Sequence, residues 1–140
     1  MRADYGARAM IDLAQHYGNG LTQTADIAER QRIPESYLEQ LLTTLRKAGL
    51  VRSVRGPAGG HELVRSPAEL SLGDMLDALD GVTSPAPCMD DGPCSVMSSC
   101  VLQEVWEELA VGYHQVVHGV TFEVLARRQA DRESRSMYYI

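Results

Sequence analysis

The sequence predicts a mainly α protein: a winged helix-turn-helix domain followed by a long C-terminal dimerisation helix. Two observations predict this fold class. Three short helical patterns are followed directly by a glycine-rich hairpin pattern, and an apolar stripe at helical spacing then runs through residues 101–128. We expect residues 1–80 to form the winged domain, with its wing at residues 50–65. A cysteine loop over residues 81–100 and a polar tail over residues 129–140 complete the predicted organisation.

The winged domain begins with three helices. Apolar residues at helical spacing predict the first over residues 4–17, and Gly18-Asn-Gly20 ends it. The second is predicted over residues 24–31. The third begins at Pro34, because the fixed φ of proline suits the first helical position, and it ends at Gly49. Its buried stripe is expected to consist of four leucines, Leu38, Leu41, Leu42 and Leu45.

A hairpin pattern follows the third helix. Residues 50–54 and 61–64 contain the aliphatic and β-branched side chains that are typical of strands. Between them, Arg55-Gly-Pro-Ala-Gly-Gly60 predicts a turn, since three glycines and a proline do not continue a strand. A fourth helix is predicted from Leu72 to about Gly81.

The predicted helix over residues 101–128 is too long to bury its apolar stripe against a small winged domain. We therefore expect two copies of the chain to pack through it as a homodimer. The stripe consists of Val101, Leu102, Val105, Trp106, Leu109, Tyr113, Val116, Val117, Val120, Val124 and Leu125. From Arg128 onward the sequence is polar, which predicts a loosely ordered tail over residues 129–140.

Charge is distributed unevenly along the chain. The net charge of −6 by itself disfavours a nucleic-acid partner. Residues 1–66, however, carry nine Lys/Arg against seven Asp/Glu, whereas residues 67–140 carry four against twelve. A locally basic winged domain can still hold a phosphate backbone, and Arg52 and Arg55 are the candidate contacts. The basic residues of this region are Arg46, Lys47, Arg52, Arg55 and Arg65.

Several functional classes are disfavoured by the sequence. No run of about eighteen apolar residues is present, so we expect no membrane-spanning helix. The N-terminus lacks the apolar segment of a secretory signal, which predicts a cytoplasmic protein with reduced thiols. We find no nucleophile elbow, phosphate loop or spaced carboxylate pair, and we therefore do not expect an enzyme.

The third helix is the candidate recognition helix. Ser36 and Gln40 can hydrogen-bond to base edges, and Tyr37 can reach a phosphate or a thymine methyl group. Glu39 can accept from a cytosine amino group and repels phosphates, so it can reject wrong sequences. At the wing tip, Arg55 suits a narrow minor groove. The alternatives are an ordinary amphipathic helix with solvated basic residues, or a winged helix that binds a protein partner.

All three cysteines of the chain lie in the predicted loop, each six residues after the last: Cys88, Cys94 and Cys100. Three thiolates are one short of the four ligands that zinc or an iron–sulfur cluster usually takes. Zinc sites usually pair cysteines across a shorter gap, which favours the cluster. Bare redox thiols that condense to a disulfide are the other alternative.

The histidines provide no further site. His114 and His118 are four residues apart on the predicted long helix and could share a metal ion, but no third ligand is evident. We expect both to face solvent. His16 and His61 show no partner in the sequence.

Five segments resemble the bacterial IscR-like transcription regulators, a family with iron–sulfur, nitric-oxide and cysteine-metabolism regulators. They are Asp4-Tyr-Gly-Ala-Arg-Ala9, Ala25-Asp-Ile-Ala-Glu-Arg-Gln31, Ser36-Tyr-Leu-Glu-Gln-Leu-Leu42, Leu45-Arg-Lys-Ala-Gly-Leu-Val51 and Ser53-Val-Arg-Gly-Pro-Ala-Gly-Gly60. The resemblance extends from Asp4 to about Leu125. It implies a homodimer whose long C-terminal helices cross, with an iron–sulfur cluster of the 2Fe–2S or 4Fe–4S type near the interface.

The resemblance also implies roles for individual residues. By similarity, Ser36, Tyr37 and Gln40 fall on base-contacting positions. Glu39 falls where the family has a discriminating acid, and Arg55 on the minor-groove arginine of the wing. The cysteine spacing is similar to that of the cluster-binding branch, so the resemblance implies a regulator that senses cluster status, nitric oxide or redox state. The alternative is a zinc-binding or thiol-based redox protein acting through a protein partner.

The fourth ligand is where this chain departs from the IscR type. That type has a histidine three residues past the third cysteine, and here the position is Gln103, a poor iron ligand. In the nitric-oxide-sensing type, the partner subunit donates an aspartate from its first helix, and Asp4 matches that position. A carboxylate is a hard ligand for iron and would be labile, which suits a sensor. Without ligation, Asp4 is an acid favoured by the helix dipole, and Glu104 or solvent is the reserve ligand.

Overall fold

The computed structural model describes residues 2–81 and 100–138. Residues 82–99 of the predicted cysteine loop, including Cys88 and Cys94, lie outside the described residues. The helices are α1 (Arg2–Gln15), α2 (Thr24–Gln31), α3 (Glu35–Lys47), α4 (Leu72–Asp80), α5 (Leu102–His118) and α6 (Phe122–Tyr138). The strands are β1 (Val51–Val54) and β2 (Gly60–Leu63), and a 3-10 turn spans Pro67–Glu69.

The helix-turn-helix is formed by α2 and α3. Arg32 ends α2 in the left-handed conformation with φ 54°, and the Ile33 amide donates to the Ala28 carbonyl at 3.0 Å. Pro34 precedes α3 instead of starting it, because its ψ of 126° is extended. Its carbonyl still accepts the first helical hydrogen bond, from Leu38. The predicted position of Pro34 was therefore one residue too far into the helix.

The wing is an antiparallel pair in which Val51 lies opposite Leu63 and Val54 opposite Gly60. Its second strand begins one residue earlier than predicted. The first helix begins at Arg2 and ends at Gln15, so both of its ends lie two residues earlier than predicted. Beyond it, the Tyr17 amide bonds to the Ala14 carbonyl and the chain turns.

Helix α1 lies at the centre of the domain and packs against α2, α3, α4 and α6. Its inner face meets the four leucines that were predicted as the stripe of α3, all of them buried. At Gly6, an added Cβ would lie 2.5 Å from Leu79 and 2.8 Å from Met75. The two helices α1 and α4 therefore approach more closely than side chains at this position would allow.

One buried charge joins α1 to α2. The Asp12 side chain is inaccessible to solvent, and its two oxygens accept from Arg30 Nε at 3.0 Å and Nη2 at 2.9 Å. Gln31 Nε2 donates to the same carboxylate at 3.0 Å. A buried carboxylate is tolerated only with such partners, so this group determines how α2 is placed on α1.

The prediction of one continuous helix over residues 101–128 was wrong. The chain leaves the helix at Gly119, and two backbone hydrogen bonds connect it to the segment before α4. Leu72 donates to Val120 at 3.0 Å, and Phe122 donates to Leu70 at 2.9 Å. These bonds place the Phe122 ring in the core, fully buried, and Thr121 Oγ1 then accepts from the Val124 amide at the start of α6.

The prediction of a loosely ordered tail was also wrong for residues 129–138, which continue α6. Side-chain pairs at helical spacing support the extension, for example Gln129 with Glu133 at 3.1 Å. Residues 127–137 are exposed, as their polar sequence predicts. Within the described residues, no helix is long and apolar enough to cross a membrane.

Candidate nucleic-acid interface and cluster site

Helix α3 presents an exposed polar face on its first two turns. Glu35, Ser36, Glu39 and Gln40 are exposed, whereas the leucines of the same turns are buried. The 3.6-residue period places these four polar side chains on one side of the helix. The structure thus brings together three of the predicted base-contacting residues, Ser36, Glu39 and Gln40.

Tyr37 has a different environment. It is half-buried, and its ring packs edge-to-face on Tyr5 of α1, with 5.7 Å between centroids and 71° between planes. The guanidinium of Arg8 lies 5.5 Å from the centroid of the Tyr5 ring. Tyr37 is therefore held by α1, and the α3 surface at this point is coupled to the first helix.

A small groove beside Tyr37 reveals a residue that the sequence reasoning missed. It is lined by Arg2, Tyr37, Gln40, Leu41 and Thr44. Arg2 is exposed at the start of α1 and adds a positive charge to the margin of the recognition helix. Its position next to α3 depends on how α1 packs, and its charge alone could have suggested it as a phosphate contact.

A second groove, of about 370 Å³, separates α3 from the wing. Glu35 and Glu39 line it on one side, and His61 lines it on the wing side. Two carboxylates repel phosphate, so this groove suits the amino groups of bases and not the DNA backbone.

The two predicted wing arginines differ. Arg55 lies in the turn and is exposed, and the following Gly56 has φ 110°, a conformation that favours glycine. Arg52 lies opposite Glu62 in the hairpin, and its guanidinium forms an ion pair with that carboxylate, the Nε donating at 2.8 Å. The charge of Arg52 is thus offset within the wing, whereas Arg55 projects from its tip.

His61 has partners that the sequence did not reveal. Its ring lies between two hydroxyls, with Nε2 2.8 Å from Thr24 Oγ1 and Nδ1 2.7 Å from Ser53 Oγ. Burial lowers the pKa of His61, and the Arg46 guanidinium lowers this pKa further, whereas Glu39 acts in the opposite direction.

The expectation that both distal histidines face solvent was wrong for His118. Its Nε2 lies 3.3 Å from Asp77 of α4, its Nδ1 3.3 Å from Ser71 Oγ, and its ring stacks on His114 at 4.3 Å. An added Cβ at Gly73 would lie within 2.6 Å of the His118 ring, so α4 and α5 are in close contact. His114 is exposed, as expected.

Two of the four predicted cluster ligands lie within the described residues. Cys100 is half-buried and lies two residues before the first residue of α5. The Asp4 carboxylate is exposed on the first turn of α1, where it accepts from Arg8 Nη2 at 2.6 Å. Glu104, the reserve ligand, is exposed one turn beyond Cys100.

The donor types fit an iron centre. Thiolates are typical ligands of iron–sulfur clusters, and an exposed carboxylate can reorient to supply an oxygen ligand. Residues 2–81 and 100–138 by themselves contain no group of three histidine, cysteine or acidic side chains arranged to hold a metal ion. A cluster held by this chain therefore requires the cysteines outside the described residues, Cys88 and Cys94.

Helix α5 has an exposed apolar face. We use this name for five side chains that are at least half exposed and lie on one side of the helix: Val101, Leu102, Val105, Leu109 and Val116. Val117, on the side that packs against the domain, is buried, and Trp106 is half-buried. Because α5 contacts the described part of the domain mainly through α4, residues 2–81 and 100–138 leave most of the predicted stripe exposed.

Comparison with known proteins identifies the family to which this chain is similar. A family model described as Rrf2, iron-dependent transcriptional regulator, matches residues 1–128. The HTH-type transcriptional regulator IscR of Aliivibrio salmonicida is 39% identical over 117 residues, covering 84% of this chain and 70% of that protein. IscR of Serratia proteamaculans is 36% identical over 135 residues, covering 93% and 82%.

Solved structures agree with these matches. CymR, the global cysteine regulator of B. subtilis, has a TM-score of 0.77 at 34% identity, covering 91% of this chain and 95% of that chain. IscR of T. potens has a TM-score of 0.76 at 36% identity, covering 99% and 94%. These similarities confirm the predicted winged-helix fold class. The two IscR relatives are named as transcriptional regulators, and the family model carries the same description, which confirms the prediction that this chain is not an enzyme.

Proposed function

Because this chain belongs to the Rrf2 family of DNA-binding transcription regulators and is IscR-like, we propose that it is a homodimer whose affinity for DNA is controlled by an iron–sulfur cluster. One observation carries the proposal. Cys100 lies just before α5, next to the exposed apolar face. Helix α4, which precedes the cysteine segment in the sequence, packs on α1 and α3. A centre bound by that segment would adjoin both the dimerisation helix and the recognition domain. The site of action is the cytoplasm, where the operator DNA lies.

The exposed face of α3 supplies the base contacts in this proposal. Ser36 and Gln40 hydrogen-bond to base edges in the major groove, and Glu39 selects bases that offer an amino group. Arg55 enters the minor groove from the wing tip, and Arg2 contacts a phosphate beside α3. Arg52 contributes less to DNA binding than Arg55 does, because its charge is already paired with Glu62.

The exposed apolar face of α5 supplies the dimer contact. Val101 is 81% exposed and Val116 is 69% exposed, which is costly for aliphatic side chains in water. Packing two α5 helices against each other removes both faces from water. A dimer also matches the two-fold symmetry of a palindromic operator.

Cys88, Cys94 and Cys100 would hold the cluster, with Asp4 of the second subunit as the fourth ligand. When bound, the cluster supplies iron that can react with nitric oxide or oxidants. Ligation of iron through Asp4 Oδ2 would exchange the hydrogen bond from Arg8 for a bond to the metal. Arg8 lies over Tyr5, and Tyr5 packs on Tyr37 of α3. A movement of Arg8 that follows iron binding would therefore be passed to the recognition helix through these two contacts.

The test combines spectroscopy with DNA binding. The protein is purified without oxygen, its iron content and visible spectrum are recorded, and a duplex is selected with it from a random-sequence library. We expect a coloured protein whose affinity for the selected duplex changes by about tenfold or more when the cluster is removed, a coupling of about 1.4 kcal/mol. Equal affinity of the two forms would overturn cluster control.

A second candidate function follows from the similarity to CymR, which is described as a global cysteine regulator. The same fold thus serves a protein that is described as a cysteine regulator, so a thiol-based or zinc-based switch is the alternative here. Iron content separates the two. A colourless protein that takes up no iron on anaerobic reconstitution would refute the cluster and favour this alternative.

A further inference from the structure

We infer that His61 is a positioning residue that holds the wing against the helix-turn-helix and thereby sets how far Arg55 reaches into the DNA. The inference rests on the DNA contacts proposed above for the wing. It concerns the angle of the wing, not a direct contact of His61 with a base.

The first argument is the pair of side-chain hydrogen bonds. Thr24 is the first residue of α2, and Ser53 belongs to β1, so the His61 ring joins the helix-turn-helix to both strands of the hairpin. A neutral imidazole has one donor and one acceptor nitrogen. One hydroxyl therefore donates to the ring and the other accepts from it, and both ring nitrogens are satisfied.

The second argument is the backbone at the same place. His61 and Thr22 exchange both main-chain hydrogen bonds, at 2.7 Å and 2.9 Å. The Gln23 side-chain amide donates to the Pro57 carbonyl at 3.3 Å. At Gly60, an added Cβ would lie 2.7 Å from the Thr22 carbonyl oxygen. The segment that enters α2 thus pairs with the wing as a third extended strand would.

The third argument is the position of Arg55 at the free end of the wing. An isolated two-stranded hairpin is marginally stable, so the orientation of this wing depends on its attachment to the domain. The last paired residues are Val54 and Gly60, and Arg55 lies directly beyond them in the turn. A change at His61, next to this last pair, therefore displaces the tip that carries Arg55 more than it displaces the strands.

The surroundings favour the neutral ring. Burial lowers the pKa of His61, as does Arg46 of α3, and Glu39 of the same helix opposes them. Glu35 lines the same groove. A protonated ring would require both hydroxyls to accept, which breaks the present donor and acceptor pattern without removing the backbone bonds.

A double-mutant cycle with Arg55 tests the inference. His61→Leu removes both ring hydrogen bonds at similar volume, and Arg55→Ala removes the proposed minor-groove contact. Against a duplex selected by the wild-type protein, we expect each single change to lower the affinity by about tenfold. The double variant should then bind no more weakly than Arg55→Ala alone, because coupled residues are not additive. Losses that simply multiply would overturn the positioning role.

Two further variants separate positioning from general damage. His61→Gln retains a donor and an acceptor and should restore most of the affinity that His61→Leu loses. The matched control is His16→Leu, a half-buried histidine at the end of α1, which should leave the affinity unchanged. Failure of His61→Gln to restore binding would count against the hydrogen bonds as the cause.

Amide hydrogen exchange provides a readout without DNA. In His61→Leu, the amides of residues 22 and 61 should exchange about tenfold faster or more, while buried α3 amides such as that of Leu42 keep their rates. Unchanged exchange in the wing would overturn the inference even if the DNA contacts are confirmed. Faster exchange together with no effect of Arg55→Ala would instead refute the proposed minor-groove contact and, with it, the link from His61 to Arg55.

Discussion

Asp4 and Arg8 form an ion pair of 2.6 Å on successive turns of α1, and both side chains are exposed. Exposed pairs of this spacing contribute only about 0.3–0.5 kcal/mol to stability. The carboxylate can therefore leave Arg8 at little expense in folding free energy. This property is what a labile ligand requires, and it makes the role of Asp4 testable without damage to the fold.

We predict that Asp4→Ala shortens the lifetime of the cluster in air and alters its visible spectrum. The thermal midpoint of the cluster-free protein should change little, because the lost ion pair is weak. Glu104→Ala is the matched control and should retain the wild-type spectrum. The opposite pattern, with Glu104→Ala affected and Asp4→Ala unaffected, would assign the fourth ligand to α5.

We predict that Asp12→Ala is strongly destabilising. It leaves the Arg30 guanidinium without its two hydrogen bonds and Gln31 without its acceptor, at a position with no solvent access. Because the Arg30 side chain is 42% exposed, water can partly replace the lost partner, and the expected loss of unfolding free energy is about 2 kcal/mol, measured by urea denaturation of the cluster-free protein. Asp26→Ala, an exposed acid of α2, should change stability by less than about 0.5 kcal/mol. Similar effects of the two changes would contradict the role given to Asp12.

We predict that Leu109→Glu dissociates the dimer. Leu109 lies in the middle of the exposed apolar face of α5, and a carboxylate there would be buried without a partner if two copies paired. The dimer dissociation constant should rise roughly 30-fold or more, about 2 kcal/mol, in analytical ultracentrifugation. Gln115→Glu adds the same charge at an exposed polar position and should leave the dimer intact. A wild-type protein that is monomeric at all concentrations would remove the dimer from the proposal.

We predict a pH dependence of stability that comes from His61. Because its pKa is lowered in the folded protein, the unfolded chain binds more protons between that value and the ordinary 6.5. The stability that the neutral ring contributes is therefore fully present above about pH 6.5. It is lost as pH falls through the lowered folded pKa.

Thermal unfolding at about pH 7.5 and pH 5.5, on either side of the ordinary histidine pKa, measures this effect. The wild type should lose more stability on acidification than His61→Gln. Because His61→Gln leaves every other ionisable group of the chain in place, the contributions of those groups cancel in the difference between the two proteins. An equal loss in both proteins would contradict the role of His61.

Much of the winged domain could be predicted from the sequence because its signals are local. Helical spacing predicted α2 at its observed bounds, and glycine and proline chemistry predicted the wing turn between β1 and β2. The exposed positions of Ser36, Glu39 and Gln40 follow from the leucine stripe of the same helix. These features depend on neighbours within a few residues, which a sequence pattern records directly.

The rest depended on contacts between distant segments. The break between α5 and α6 arises because Val120 and Phe122 bond to Leu72 and Leu70, far earlier in the chain. Gly119 followed by two β-branched residues was the one local signal for that break.

The same reason applies to the candidate sites. Charge alone could not show that Arg52 is paired with Glu62, that Arg2 lies beside α3, or that His61 lies between Thr24 and Ser53. By itself, the sequence determined which residues could carry the chemistry: the exposed face of α3, the wing arginine and the three cysteines. Only the tertiary structure decided which of the described candidates are free to act, because a hydrogen bond or ion pair made across the fold determines whether a polar side chain is available to a ligand.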